Sequence, residues 1–230
     1  MTAAKGKDWS EYWDEAAEDK GLYAVIAKFY RRSLISRAVH HYFRRYFADD
    51  PGRVYLHAGC GSGESDNRIG FKRATFVLLD LSPAALRIAR ARTTLPNVHL
   101  VAGDIFRPPF RPASIDGIWN LGVMEHFHEP EISRIFAALS PTLKPNARCL
   151  IFWPPHYGTS VVGLNALLFV TNRIFRRRLQ LQPDEVARYW SKGWARRLMR
   201  TSGLVVERSH FSWRDFWTYV ILVVTKPGRS

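Results

Sequence analysis

Cysteine is nearly absent: Cys60 and Cys149 are the two in 230 residues. One pair cannot build a disulfide framework for a chain this long, and its spacing fits no zinc pattern, so a reducing compartment is expected. Long apolar runs are missing as well. The most apolar stretches, 161–170 and 219–224, fall well short of the ~18 residues of a membrane span. The opening residues turn acidic without an apolar stretch, so no secretory leader is expected and the location reads as cytoplasmic. Repeats and low-complexity tracts are also lacking. Acidic residues are few, 20 against 34 basic ones, which gives a formal net charge of +14. That excess predicts attraction to something anionic: nucleic acid, a lipid surface or an acidic metabolite. Arginine dominates it, 26 against 8 lysines, a bias that genome composition alone can produce, so position along the chain has to decide. A hydrophobic content of 47% excludes disorder for most of the chain.

The first twenty residues interleave Asp8, Glu11, Asp14, Glu15 and Glu18 with Trp9, Tyr12 and Trp13, which suits a short acidic amphipathic helix. From Lys28 the sign reverses. Phe29, Leu34, Ile35, Ala38, Val39, Tyr42 and Phe43 recur at helical spacing between arginines, up to the breaker Asp49-Asp50-Pro51-Gly52. Beyond it, short apolar runs at 54–58, 75–79, 98–102, 115–120 and 149–153 alternate with helical segments beginning at Ser82 and Glu129. Such alternation means βαβ units and a mostly parallel sheet. Runs at 204–212 and 216–225 lie close together and predict an antiparallel pair at the sheet edge. The expected fold is α/β: a Rossmann-like, mostly parallel seven-stranded sheet with helices on both faces and an antiparallel last strand at the edge. Residues 1–50 form a helical extension, 51–230 the main domain, and 154–182 a helical insertion after strand 5, before a helix near Pro183.

The first strand ends His57-Ala58-Gly59-Cys60-Gly61-Ser62-Gly63-Glu64, a glycine-rich turn that opens a helix and lets a ligand approach the backbone. Glu64 stands where a dinucleotide fingerprint needs its third glycine, which argues against a nicotinamide cofactor. Asp80 follows 21 residues after Gly59, where a carboxylate can accept from both hydroxyls of a ribose. A third strand ends Ala102-Gly103-Asp104 at the same edge. Each signal is modest alone; their spacing together is specific.

With Asp116-Gly117-Ile118-Trp119 and Glu125-His126, this set resembles the class I S-adenosylmethionine-dependent methyltransferases, the small-molecule type above all. The likeness is close over about 50–153. It implies that His57, Gly59, Cys60, Gly61 and Gly63 line S-adenosylmethionine, that Asp80 and Leu81 meet its ribose, and that Asp104 and Ile105 hold adenine. It also implies that Asn120 lies near the methionine moiety. One departure stands out: the family usually carries an acid where this chain has His57.

Methyl transfer from a sulfonium requires chiefly alignment and exclusion of water. A hydroxyl acceptor also needs a base, for which His126 and His156 are candidates, with Tyr157 as an orienting group. No metal is expected: His126 and His128, two apart, do not share a helix face. Trp153-Pro154-Pro155-His156-Tyr157 resembles the N-P-P-Y loop of amino-group methyltransferases acting on nucleic acid, but here it follows the fifth strand instead of the fourth. The insertion is the best clue to the acceptor. From 173 to 200 there are nine basic residues against Asp184 and Glu185, next to an aliphatic run, which suits a lid over an apolar substrate or contact with an anionic membrane. The expected function is methyl transfer to an apolar or lipid-linked small molecule. The alternatives are RNA or protein methylation, ranked lower, and a cofactor-binding subunit without activity.

Overall fold

The computed structural model describes residues 31–158 and 186–228. The acidic helix expected in the first twenty residues and the aliphatic, arginine-rich part of the expected insertion lie outside the described residues.

Val54–Ala58 (β1) is buried at every position but the first, as a strand covered on both faces must be. It lies inside a sheet completed by β2 (Thr75–Asp80), β3 (Val98–Ala102), β4 (Ile115–Leu121), β5 (Leu143–Trp153), β6 (Val205–His210) and β7 (Val220–Thr225). The order is β3-β2-β1-β4-β5-β7-β6. The first five strands pair in parallel, while β7 runs antiparallel to both β5 and β6. The antiparallel edge is therefore present, and within it β7 takes the inner place.

Helix α1 (Ser36–Tyr46) and α2 (Pro83–Arg92) cover one face. Helices α3 (Glu129–Leu139) and α4 (Lys192–Met199) cover the other. Helix α1 is fastened by Phe43, whose ring meets Tyr55, Phe71, Phe76 and Trp119 within 6.4 Å. Ser82 caps α2, accepting from Ala85 N–H, with Pro83 in its first turn. Among the described residues, no helix is long and apolar enough to cross a membrane.

Two local expectations change. The glycine turn opens only a short 3₁₀ segment, Glu64–Arg68, and Glu64 turns away to pair with Arg92 at 2.8 Å. The helix start expected near Pro183 lies outside the described residues; from Val186 the chain is non-helical up to a helix that begins at Lys192, capped by Ser191. The last strand starts at Val220 instead of Phe216, because Asp215 gathers the preceding residues into a tight loop.

Candidate functional site

Every parallel strand delivers its carboxyl end to one edge, and the direction in which successive strands are added to the sheet reverses between β1 and β4. In doubly wound sheets that switch point is where ligands bind. On one side of it lies the glycine turn. Gly59, Gly61 and Gly63 all have positive φ, between 51° and 74°, and a Cβ on Gly59 would stand 2.8 Å from Val123, so only glycine fits there. Asp80 ties the turn to β2, accepting Gly61 N–H with one oxygen at 2.8 Å and Ser82 N–H with the other at 2.9 Å. Each oxygen keeps a free lone pair. Leu81 beside it is 61% exposed. At the end of β3, Asp104 accepts from Phe106 N–H at 2.8 Å, with Ile105 buried next to it. Burial, with Asp80 and Asp66 nearby, holds the Cys60 thiol far above its usual range, so it stays a neutral thiol.

Under the turn lies a buried polar group that sequence reasoning did not find. His57 Nδ1 stands 2.7 Å from Asp66 Oδ2, and its ring stacks on Trp119 at 4.6 Å between centroids. Trp119 Nε1–H donates to the other Asp66 oxygen at 3.1 Å. The carboxylate accepts from the imidazole Nδ1–H; among the described residues Nε2 has no partner. The acid expected at position 57 thus stands one ring away. Asn120 closes the other side, donating to Ala58 C=O at 2.5 Å while its buried Oδ1 finds no partner among the described residues. Asp116 serves elsewhere, at the opposite end of β4. Burial pushes its carboxyl up, but hydrogen bonds from Lys144, Val54 N–H and Arg53 outweigh this and hold it low.

A family model described as a methyltransferase domain matches residues 56–146, the span that holds the glycine turn, Asp80, Asp104 and Asn120. Over that span the chain is similar to S-adenosylmethionine-dependent methyltransferases. It is 33% identical over 92 residues to an S-adenosylmethionine-dependent methyltransferase of Mycolicibacterium smegmatis, covering 39% of this chain and 35% of that one. It is 28% identical over 96 residues to the phthiotriol/phenolphthiotriol dimycocerosates methyltransferase of Mycobacterium leprae, covering 41% and 35%. The chain thus matches about a third of the length of these relatives. Its fold is shared by a chain of the Haloferax volcanii complex between the Trm112 methyltransferase activator and a methyltransferase, with a TM-score of 0.68 and 18% identity over 96% of this chain and 100% of that one. A geranyl diphosphate methyltransferase in complex with GPP and sinefungin shares it too, with a TM-score of 0.57 and 16% identity over 82% and 78%.

In this chain the far side of the switch point is built from the exits of β4 and β5. Gly122 N–H donates to Phe152 C=O at 3.3 Å, which holds the two exits together. An extended strap from Val186 crosses both: Val186 and Ala187 N–H donate to Glu125 C=O at 2.6 and 3.0 Å, and Tyr189 N–H to Pro154 C=O at 2.9 Å. Trp153 Nε1–H donates to Ala187 C=O from below. His126 ends the one-turn segment after β4 and is half-buried. His156 and Tyr157 follow β5, exposed, edge-on to Trp190 and Phe211 respectively. The three candidate side chains therefore share one edge with the glycine turn. Sequence reasoning also missed Phe106 and Phe127, which meet edge-to-face at 5.4 Å between the exits of β3 and β4, and the burial of Glu125 beneath Gly122. The signal for the phenylalanines was their position just past a strand end.

Proposed function

We propose that this chain binds S-adenosylmethionine at the switch point and transfers its methyl group to an apolar, lipid-linked small molecule. The observation that carries the reading is the convergence at one sheet edge of the glycine turn, Asp80 with free lone pairs, and two buried polar atoms without partners among the described residues, His57 Nε2 and Asn120 Oδ1. This set fits the cofactor. Asp80 would accept the ribose hydroxyls, Leu81 and Ile105 would offer apolar surface to the nucleoside, Asp104 would hold adenine, and Asn120 and His57 would meet the amino acid end. S-adenosylmethionine supplies an already activated methyl group, so the protein's task is to orient the acceptor and exclude water. The strap over Glu125 and Pro154 and the ring pair Phe106 and Phe127 supply the wall. His126, on the half-buried exit of β4, takes the proton of a hydroxyl acceptor, a contribution of about 10²- to 10⁴-fold. An apolar acceptor is supported by the aromatic lining of this edge and by the lipid named in the Mycobacterium leprae relative.

Calorimetry with S-adenosylmethionine and S-adenosylhomocysteine tests the first half: binding in the micromolar range is expected, falling at least about tenfold in Asp80→Ala. No binding at high micromolar concentration overturns it. Cofactor consumption with a lipid extract tests the second half. Its loss in His126→Gln with binding intact assigns the base; consumption absent from wild type as well leaves a cofactor-binding subunit.

A further inference from the structure

The loop between β6 and β7, residues 211–219, lies at the same sheet edge as the candidate site, since His210 pairs with Ile221 and Val220 with Trp153 at the end of β5. Its interior is tightly tied. Phe216 N–H donates to Trp213 C=O and Trp217 N–H to Ser212 C=O, both at 3.0 Å. Tyr219 N–H donates to the buried Asp215 carboxylate at 2.7 Å. Its exterior is the reverse of what a soluble loop presents. Trp213, Phe216 and Trp217 are 65%, 56% and 42% exposed, and the last two sit at φ of 55° and 52°, a conformation that bulky residues adopt only under compulsion. The loop thus spends backbone strain on turning large rings outward, and strain of this kind collects at functional segments.

The rings continue into Tyr157, 54% exposed, through its edge-on contact with Phe211 at 5.3 Å. Beside them runs a basic strip. The Arg214 guanidinium lies 5.2 Å over Trp213 and that of Arg45 5.7 Å over Tyr46. Arg208 continues the strip down β6, whereas its neighbour Glu207 is taken by Arg148 at 3.4 Å. Burial lowers the pKa of His41 first, and Arg214 and Arg45 lower it further; His210 is lowered in the same way, with Arg45 and Arg208 adding to burial. The strip is thus felt as positive potential. Amphipathic rings flanked by arginines match the boundary of an anionic bilayer, where the rings sit at headgroup level and the guanidinium groups meet phosphates.

We infer that the 211–217 loop, with Tyr157 and the Arg45, Arg208 and Arg214 strip, docks this protein on an anionic phospholipid membrane with its candidate site facing the lipid. The inference deepens the lipid-acceptor reading and rests on it for its purpose, but its test uses neither cofactor nor turnover. The full chain is floated with vesicles of phosphatidylcholine alone and of phosphatidylcholine with phosphatidylglycerol, at low and high salt. Wild type is expected to float with the anionic vesicles, less so as salt rises. The variant Phe216→Asn/Trp217→Asn removes two rings while placing at each position a residue that tolerates positive φ, so its thermal midpoint stays level or rises. Its partition onto vesicles is expected to fall by about tenfold or more. Arg208→Glu/Arg214→Glu is expected to lose the preference for anionic vesicles. Failure of wild type to float at low salt overturns the inference, as does equal flotation of the asparagine variant. A chain that floats normally yet binds no S-adenosylmethionine in calorimetry overturns the proposed function and leaves the docking surface standing.

Discussion

At the scale of the residue, Asp66 carries more than any motif position suggests. It is fully buried and serves two rings at once, His57 through Nδ1 and Trp119 through Nε1. Removing it leaves two buried donors without an acceptor, each costing about 1–3 kcal/mol. Asp66→Ala is therefore expected to lower unfolding free energy by about 3 kcal/mol, read from urea titration, whereas Asp66→Asn keeps one acceptor and loses less. A drop below about 1 kcal/mol in the alanine variant would mean that water or a rearranged turn satisfies both rings. His57 shows why this group was illegible in sequence. Read singly, it is a departure from an acidic position; the compensating carboxylate lies nine residues on, across a turn whose path depends on three positive-φ glycines. The place of Asp80 at the end of β2 was legible because it needs only a strand end and a spacing, both of which survive without knowledge of the turn.

At the scale of the element, the 211–219 loop couples packing to pH. Burial raises the Asp215 carboxyl to about 6 from 3.8, against hydrogen bonds from Tyr219 and neighbouring backbone groups. Between those values the folded state holds a proton that the unfolded state has released, so this group's contribution to stability is greatest at acid pH and falls as pH rises through 6. A shift of about two units corresponds to about 3 kcal/mol at most. His41 and His210 titrate with the opposite sign: both are held low, so they favour the folded state as pH rises toward their ordinary value. The difference between wild type and Asp215→Asn isolates the carboxyl. That difference in unfolding free energy is expected to move in favour of the variant from about pH 4.5 to pH 7.5, and a flat difference would place Asp215 in wetter surroundings. The same residue explains a misplaced boundary. Phe216-Trp217-Thr218-Tyr219 has the ring-rich, β-branched composition of a strand, but Asp215 accepts Tyr219 N–H, and the hydroxyl of Thr218 donates to the Asp215 carbonyl. That closes a loop where propensity alone extends β7. In β5 the error ran the other way: the polar residues before Cys149 hid an eleven-residue strand that the pairing of Arg148 with Gly117 and Thr225 extends toward its start.

At the scale of the whole molecule, the parallel order of the sheet could be read from the alternation of apolar runs and helices, because buried parallel strands leave a continuous apolar signature. The face each helix covers and the strap over β4 and β5 could not, since both depend on contacts between distant segments. Charge is the property that belongs to the molecule entire. With 34 basic residues and 20 acidic ones, even complete pairing leaves a large excess, and the described acids Asp116, Glu64, Glu207 and Glu129 already face arginine or lysine. Self-repulsion among the remainder opposes the compact state, and salt shortens its reach from about 30 Å at 0.01 M to about 8 Å at 0.15 M. Relief of about 1 kcal/mol raises the thermal midpoint of a domain this size by about 2–4 °C. Raising sodium chloride across that range is therefore expected to raise the midpoint while it weakens flotation with anionic vesicles. The opposite signs matter, because a protein that salt simply destabilised would lose both together. A midpoint that falls with salt would mean that paired charges outweigh the excess, and the arginines would then be part of the fold's cohesion instead of a field directed at a partner.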